Sequence, residues 1–265
     1  MTIRASIDAV LGYLVCGFLL LAACEAAFEG TWLIERDWHL GAQVVFGTIA
    51  LCGGWSISRI GLALLERKLV CGCLQTPECI LLADPSRGIR GWRRILFRGY
   101  YRPLPDETRE RILEAAERHG FTWPAGTADT NPKRERGSQV APSLALRVSV
   151  RNFAGGRGAD RSSGTALFRD ALANVEQEPA IMRRVDRSRQ LSDICRGLCV
   201  GFMVASAILF AGIIWHGLYS RWSQADLRKL GYCLLCLWES LLMLHRYLKF
   251  RRQYAVEVLT GYAAM

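Results

Sequence analysis

Few residues of this chain have the types and spacing that chemistry requires. Cys71, Cys73 and Cys79 form a C-x-C-x5-C pattern, but no fourth ligand of matching spacing lies nearby to complete a tetrahedral metal site. Cys233-x-x-Cys236 has the spacing of a dithiol redox pair, yet it falls in an apolar run where a thiolate is unfavourable. Cys16, Cys24, Cys52 and Cys199 lie in similar runs and read as small apolar residues. His39 and His216 are placed so that a haem could bridge two helices, but no second histidine pair accompanies them. No phosphate-binding loop, dinucleotide fingerprint, nucleophile elbow or H-E-x-x-H motif occurs. The expectation is a protein without catalytic residues, metal or cofactor. The informative residue is Glu239, in LCLWESLLML. An ionisable side chain in the middle of a membrane span costs about 2.5–3.5 kcal/mol on insertion scales, so it should face protein or water and have a partner. Arg59, in WSISRIGL, is the second charge of this kind. Glu239 is then either structural, protonated or hydrogen-bonded to a neighbouring helix, or it lines a path, and Glu239 and Arg59 are the pore or gating candidates.

The elements that carry these residues are apolar runs. Of the 265 residues, 51% are hydrophobic, and four stretches approach or exceed the roughly 20 residues that cross a hydrocarbon core as a helix. They are Ala9–Phe28, Leu40–Leu65, Leu198–Tyr219 and Leu230–Tyr247. The first reads as a span rather than a cleaved signal, because no small-x-small site precedes a soluble domain and a second span follows closely. The fold class expected is all-α integral membrane, with four transmembrane helices as two hairpins and a small helical cytoplasmic domain between them. Residues 1–65 form the first hairpin, 66–197 the cytoplasmic domain, 198–247 the second hairpin and 248–265 a cytoplasmic C-terminal helix. Arg67, Lys68, Arg196 and the basic tail after Leu244 place these segments inside, by the excess of Lys and Arg on cytoplasmic sides. Both termini are then cytoplasmic. The small residues of the second stretch, among them Gly47, Gly54 and Gly61, permit close helix contacts within or between subunits. One bundle of four helices encloses no channel, so a pore requires a homo-oligomer.

The net charge of +10 comes from 34 Lys and Arg against 24 Asp and Glu. Most of the excess lies in the cytoplasmic segment, where it suits the anionic inner leaflet as well as it suits a nucleotide or oligonucleotide signal. WRRILFRGYYRPLP mixes aromatics with Arg93, Arg94, Arg98 and Arg102, and Lys249, Arg251 and Arg252 follow the last span. These seven are the candidates for contact with an anionic ligand or with lipid. DETRERILEAAERHG reads as a helix stopped at Gly120, its Glu residues solvated. TALFRDALANVEQEP and AIMRRVDRSRQLSDICRG read as two more helices, with Pro179 opening the second. Between them, residues of about 125–164 are rich in Gly, Ser, Arg and Asn and read as disordered. In the C-terminal stretch Tyr247, Tyr254, Val258 and Tyr262 share one helical face, which would pack on the cytoplasmic domain or lie at the interface.

NPKRERGSQVAPSLALRVSVR resembles a segment that recurs as an insertion in otherwise unrelated bacterial proteins, which makes its basic run a passenger. GTWLIERDWHLG, GYYRPLPDETRERIL, TALFRDAL and RYLKFRRQY together resemble a family of bacterial four-span membrane proteins without an assigned function. That resemblance covers most of the chain outside the insertion and implies the bacterial inner membrane. More loosely, the layout is similar to membrane effectors of anti-phage defence of the CBASS or Hailong type, in which a nucleotide signal governs a channel-forming or membrane-disrupting protein. Two expectations follow. The first is an oligomeric, channel-like effector controlled by its cytoplasmic domain; the second is a membrane anchor or scaffold for a cytosolic partner protein.

Overall fold

The computed structural model describes residues 3–28, 40–82, 97, 99–121, 159–219 and 224–265. Among them all regular structure is helical. The elements are α1 (Ile3–Phe28), α2 (Leu40–Gly61), a π-helix (Leu62–Leu74), α3 (Pro77–Leu82), α4 (Asp106–Arg118), α5 (Ala159–Val175), α6 (Pro179–Tyr219) and α7 (Gln224–Ala263). Three stretches are long and apolar enough to cross a membrane: Val10–Phe28, Gln43–Cys71 and Pro179–Leu218. In the last, Arg183 to Arg196 carry the charges, so the apolar run is the C-terminal half of α6. Helix α7 is long enough, but Arg228, Lys229, Glu239 and Arg246 interrupt its apolar run. The chain divides into two compact units, Met1–Cys73 with Arg189–Phe250, and Leu74–Ser188 with Arg251–Met265.

The first unit is held by small residues. Gly17 of α1 abuts the Ala50 backbone of α2, and Gly54 abuts the Tyr13 carbonyl, so the two helices run antiparallel. A Cβ on either glycine would run into the opposing backbone, and only glycine allows this approach. Helix α6 lies parallel to α1, with Gly197 and Gly201 on Cys16 and Gly212 on Ala27. Ala23, Ala27, Ala205, Leu209 and Cys233 form a buried cluster there. The outward faces are apolar instead: Val15 and Phe18 on α1, Val44 and Ile49 on α2, Phe210 and Ile214 on α6, and Leu234, Leu235, Trp238 and Leu241 on α7 are all exposed. A water-facing domain rarely leaves so much contiguous apolar surface open, and lipid is the solvent that accepts it.

The second unit follows the opposite rule, with its apolar residues inside. Leu81, Ile112, Leu167, Val185, Val258 and Leu259 are buried in one core contributed by α3, α4, α5 and the two long helices. Helix α4 spans the stretch expected to be helical and ends in a glycine-dependent stop. Gly120 has φ +70°, its N–H bonds the Glu117 carbonyl, and the Phe121 N–H reaches back to Ala116 at 2.9 Å. Glu107, Glu110, Glu114 and Glu117 are exposed, as solvated helix charges are. Pro179 opens α6 where its missing N–H has no intrahelical role.

One boundary differs from the sequence reading. Helix α5 begins at Ala159, inside the stretch 125–164 that reads as disordered; residues 125–158 of that stretch lie outside the described residues. The C-terminal stretch extends α7, and its Tyr254, Val258 and Tyr262 insert into the core of the second unit. Tyr247, which shares their face, is fully buried in the first.

Candidate functional site

The antiparallel pairing of α6 and α7 sets the position of Glu239. Two serine–cysteine contacts fix the register. Ser240 donates to the Cys199 carbonyl at 3.0 Å and lies 3.5 Å from its sulfur. Ser206 donates to the Cys233 carbonyl at 3.2 Å, with its hydroxyl 3.1 Å from the sulfur. Each contact joins a serine of one helix to a cysteine of the other, and all four residues are buried. Seven residues separate the two positions on each helix, two turns, so both fall on one seam. In lipid such interhelical bonds hold a helix pair together by about 0.6 kcal/mol each, up to about 1.7. Cys233 thus belongs to the packing of the seam.

With Ser240 turned into the seam, Glu239 falls on its rim and is half-exposed. Its neighbour Trp238 is 60% exposed, and Leu235 and Leu242 are exposed as well. Among the described residues Glu239 makes no hydrogen bond and no ion pair. Arg59 does not meet it. Arg59 is exposed on α2 with its guanidinium 5.3 Å from the Trp55 ring centre, a stacking worth about 0.5–1 kcal/mol at an exposed site.

The first unit also holds a charge cluster that sequence reasoning missed. The buried Arg196 of α6 binds Glu66 of the π-helix at 3.2 Å and Asp193 at 3.0 Å. Arg196 counted only as a topological signal in the sequence; that it needs a carboxylate once buried follows only from its place against Gly61.

The basic candidates of the second unit separate. Arg251 lies 3.6 Å from the buried Glu78 and 5.4 Å from the Tyr254 ring centre. Arg252 turns elsewhere and donates twice to the Arg102 carbonyl, from Nε at 3.3 Å and Nη2 at 2.8 Å. Lys249, in the first unit, is exposed, and Arg93, Arg94 and Arg98 lie outside the described residues. A further polar contact joins Tyr262 to Asp170 at 2.9 Å, with the His119 ring centred 5.0 Å from that of Tyr262. Burial, and then the bond to Asp170 and its charge, push the Tyr262 hydroxyl far above its usual pKa.

Among the described residues no three His, Cys, Asp or Glu side chains gather as a metal site. Cys71 and Cys73 are exposed, and Cys79 accepts a bond from the Thr76 hydroxyl at 3.3 Å. His216 is half-exposed and His39 lies outside the described residues. The geometry therefore offers an unpartnered carboxylate in an apolar surface and a pair of arginines in the other unit. No protein-family model, curated protein or solved structure matches this chain.

Proposed function

We propose that the protein is an oligomeric four-span membrane protein that opens a path through the bilayer, with Glu239 on the wall of that path. The spans are α1, α2, the C-terminal half of α6 and the N-terminal part of α7, as two hairpins with both termini in the cytoplasm. The second unit is the cytoplasmic control domain, and anti-phage defence is the setting to which the resemblance to membrane effectors points.

One observation carries the reading. Glu239 is half-exposed beside Trp238 and finds no partner among the described residues. A single copy would present this carboxyl to lipid at the cost of about 2.5–3.5 kcal/mol. Several copies that turn this edge of α7 toward one another would give it water or a neighbour's polar groups, and the shared interior would be a conduit. The exposed apolar residues of α1 and α2 would then face lipid.

The test is the membrane potential of cells inducibly expressing the chain, wild type against Glu239→Gln at matched membrane levels. Depolarisation by the wild type, altered by the substitution, is expected. A potential held by both, with a cytosolic protein copurifying through Thr165–Gln190, would reject the conduit in favour of an anchor.

A further inference from the structure

In the second unit the Arg252 guanidinium is held on the backbone of Arg102, and among the described residues neither arginine has a counter-charge. The loop before α4 is pinned at three successive residues. The Tyr100 hydroxyl donates to the Gln75 carbonyl at 2.8 Å, the Tyr101 hydroxyl to the Leu74 carbonyl at 2.9 Å, and the Arg102 carbonyl takes both bonds from Arg252. The Leu104 N–H adds a bond to the Leu81 carbonyl at 3.4 Å. The backbone of Arg102 and the guanidinium of Arg252 are therefore fixed before any ligand arrives, which removes much of the ordering entropy that binding otherwise opposes.

The charges are left open. Arg251 has Glu78 at 3.6 Å, but among the described residues neither Arg102 nor Arg252 has a carboxylate within ion-pair distance. Burial, and then the positive charge of Arg102, lower the pKa of Arg252. Like charges placed together in a partly desolvated position repel, and a stable fold ordinarily separates or neutralises them. A fixed Arg252 guanidinium with the exposed Arg102 side chain carried on the residue it binds, both with N–H donors uncommitted among the described residues, matches the oxygens of a phosphate, which guanidinium groups take in paired hydrogen bonds.

We propose that Arg102 and Arg252 form a binding site for a phosphate group, carried either by a lipid headgroup or by a soluble phosphorylated molecule. The inference does not rest on the conduit reading, since a scaffold could use the same site. Arg102 is exposed and supplies the approach; Arg252, half-buried, supplies the fixed end.

The full chain in uncharged detergent would be titrated with pyrophosphate in one arm. In the other it would be placed in micelles doped with phosphatidic acid, with diacylglycerol as the phosphate-free control. Saturable binding in either arm is expected, and the arm names the source. Arg102→Ala, which leaves the carbonyl bonded by Arg252 in place, should weaken binding at least tenfold, and Arg102→Lys should restore part of it. Without ligand, Arg102→Ala should unfold at the same or a higher temperature than wild type, because it removes a repelling charge. No saturable binding in either arm, or binding undiminished in both Arg102→Ala and Arg252→Gln, would overturn the proposal.

Discussion

Removing the two seam hydroxyls, singly and together, tests how α6 and α7 are joined. Ser206 and Ser240 each donate one bond to a carbonyl of the opposite helix. Each also touches a cysteine sulfur, at 3.1 and 3.5 Å. A serine-to-alanine change removes a hydroxyl and leaves a space smaller than a methyl group, so the loss is the hydrogen bond with little cavity. The carbonyls keep their own helical partners and are not orphaned. About 0.6 kcal/mol per site is expected, with about 1.7 as the upper bound. The sites lie seven residues apart, about 10 Å along a helix rising 1.5 Å per residue. At that separation effects add, so the double change should cost about 1.2 kcal/mol, within a few tenths of the sum. The measurement is reversible unfolding in bicelles, with each variant compared at the same lipid composition. A double variant as stable as wild type would refute the seam, and so would one losing far more than the two single variants together.

The same seam predicts a cross-link. In a background where the other cysteines except Cys233 are alanine, Ser206→Cys places a second thiol beside the Cys233 sulfur, where the serine oxygen now lies 3.1 Å away. Mild oxidation followed by cleavage between α6 and α7 should leave the fragments joined, and Ser206→Ala should release them. In the second unit, Tyr262→Phe should cost about 1.5–3 kcal/mol, the range for a bond to a charged group, measured by thermal unfolding. The folded pKa of Tyr262 is raised, so this contribution is fully present below about pH 10 and is lost as pH rises through the folded value. Wild type should accordingly lose stability at alkaline pH more steeply than Tyr262→Phe, and equal slopes would contradict the assignment.

What the sequence made legible were features with a local physical cause. Gly120 ends α4 because only a residue tolerant of positive φ closes that helix end, and Pro179 opens α6 because its fixed φ suits the first turn. The seam was not legible. Its partners lie 27 and 41 residues apart, and a small polar residue in an apolar run gives no periodic signal of what it faces. Arg251 and Arg252 look alike in sequence, but successive helical residues point about 100° apart, enough to send one to Glu78 and the other to Arg102. The start of α5 at Ala159 was obscured by the Gly- and Ser-rich composition before it, which tertiary packing overrides.

Helix α7 keeps one inner face along its length while its outer face changes character. One stripe of buried residues runs along it, Asp226, Lys229, Cys233, Ser240, Tyr247, Tyr254, Val258 and Tyr262, at intervals of three, four or seven, flanked by the buried Leu248, Ala255 and Leu259. That inner face keeps its period throughout, while the outer face changes solvent. Leu234, Leu235, Leu237, Trp238, Leu241 and Leu242 are exposed in the first part, and Lys249 and Gln253 in the second. A mean over both faces counts Lys229 against the helix although it is buried. The surface a bilayer would meet, from Leu234 to Leu242, is as apolar as that of α1, and this is the argument for α7 as a fourth span. Across Leu230–Leu244 the one acidic or basic residue is Glu239. On the rim it stands outside the hydrogen-bonded seam, and among the described residues it has no hydrogen bond or ion pair to offset its cost in lipid. Under the proposed function a neighbouring copy or a column of water supplies that offset.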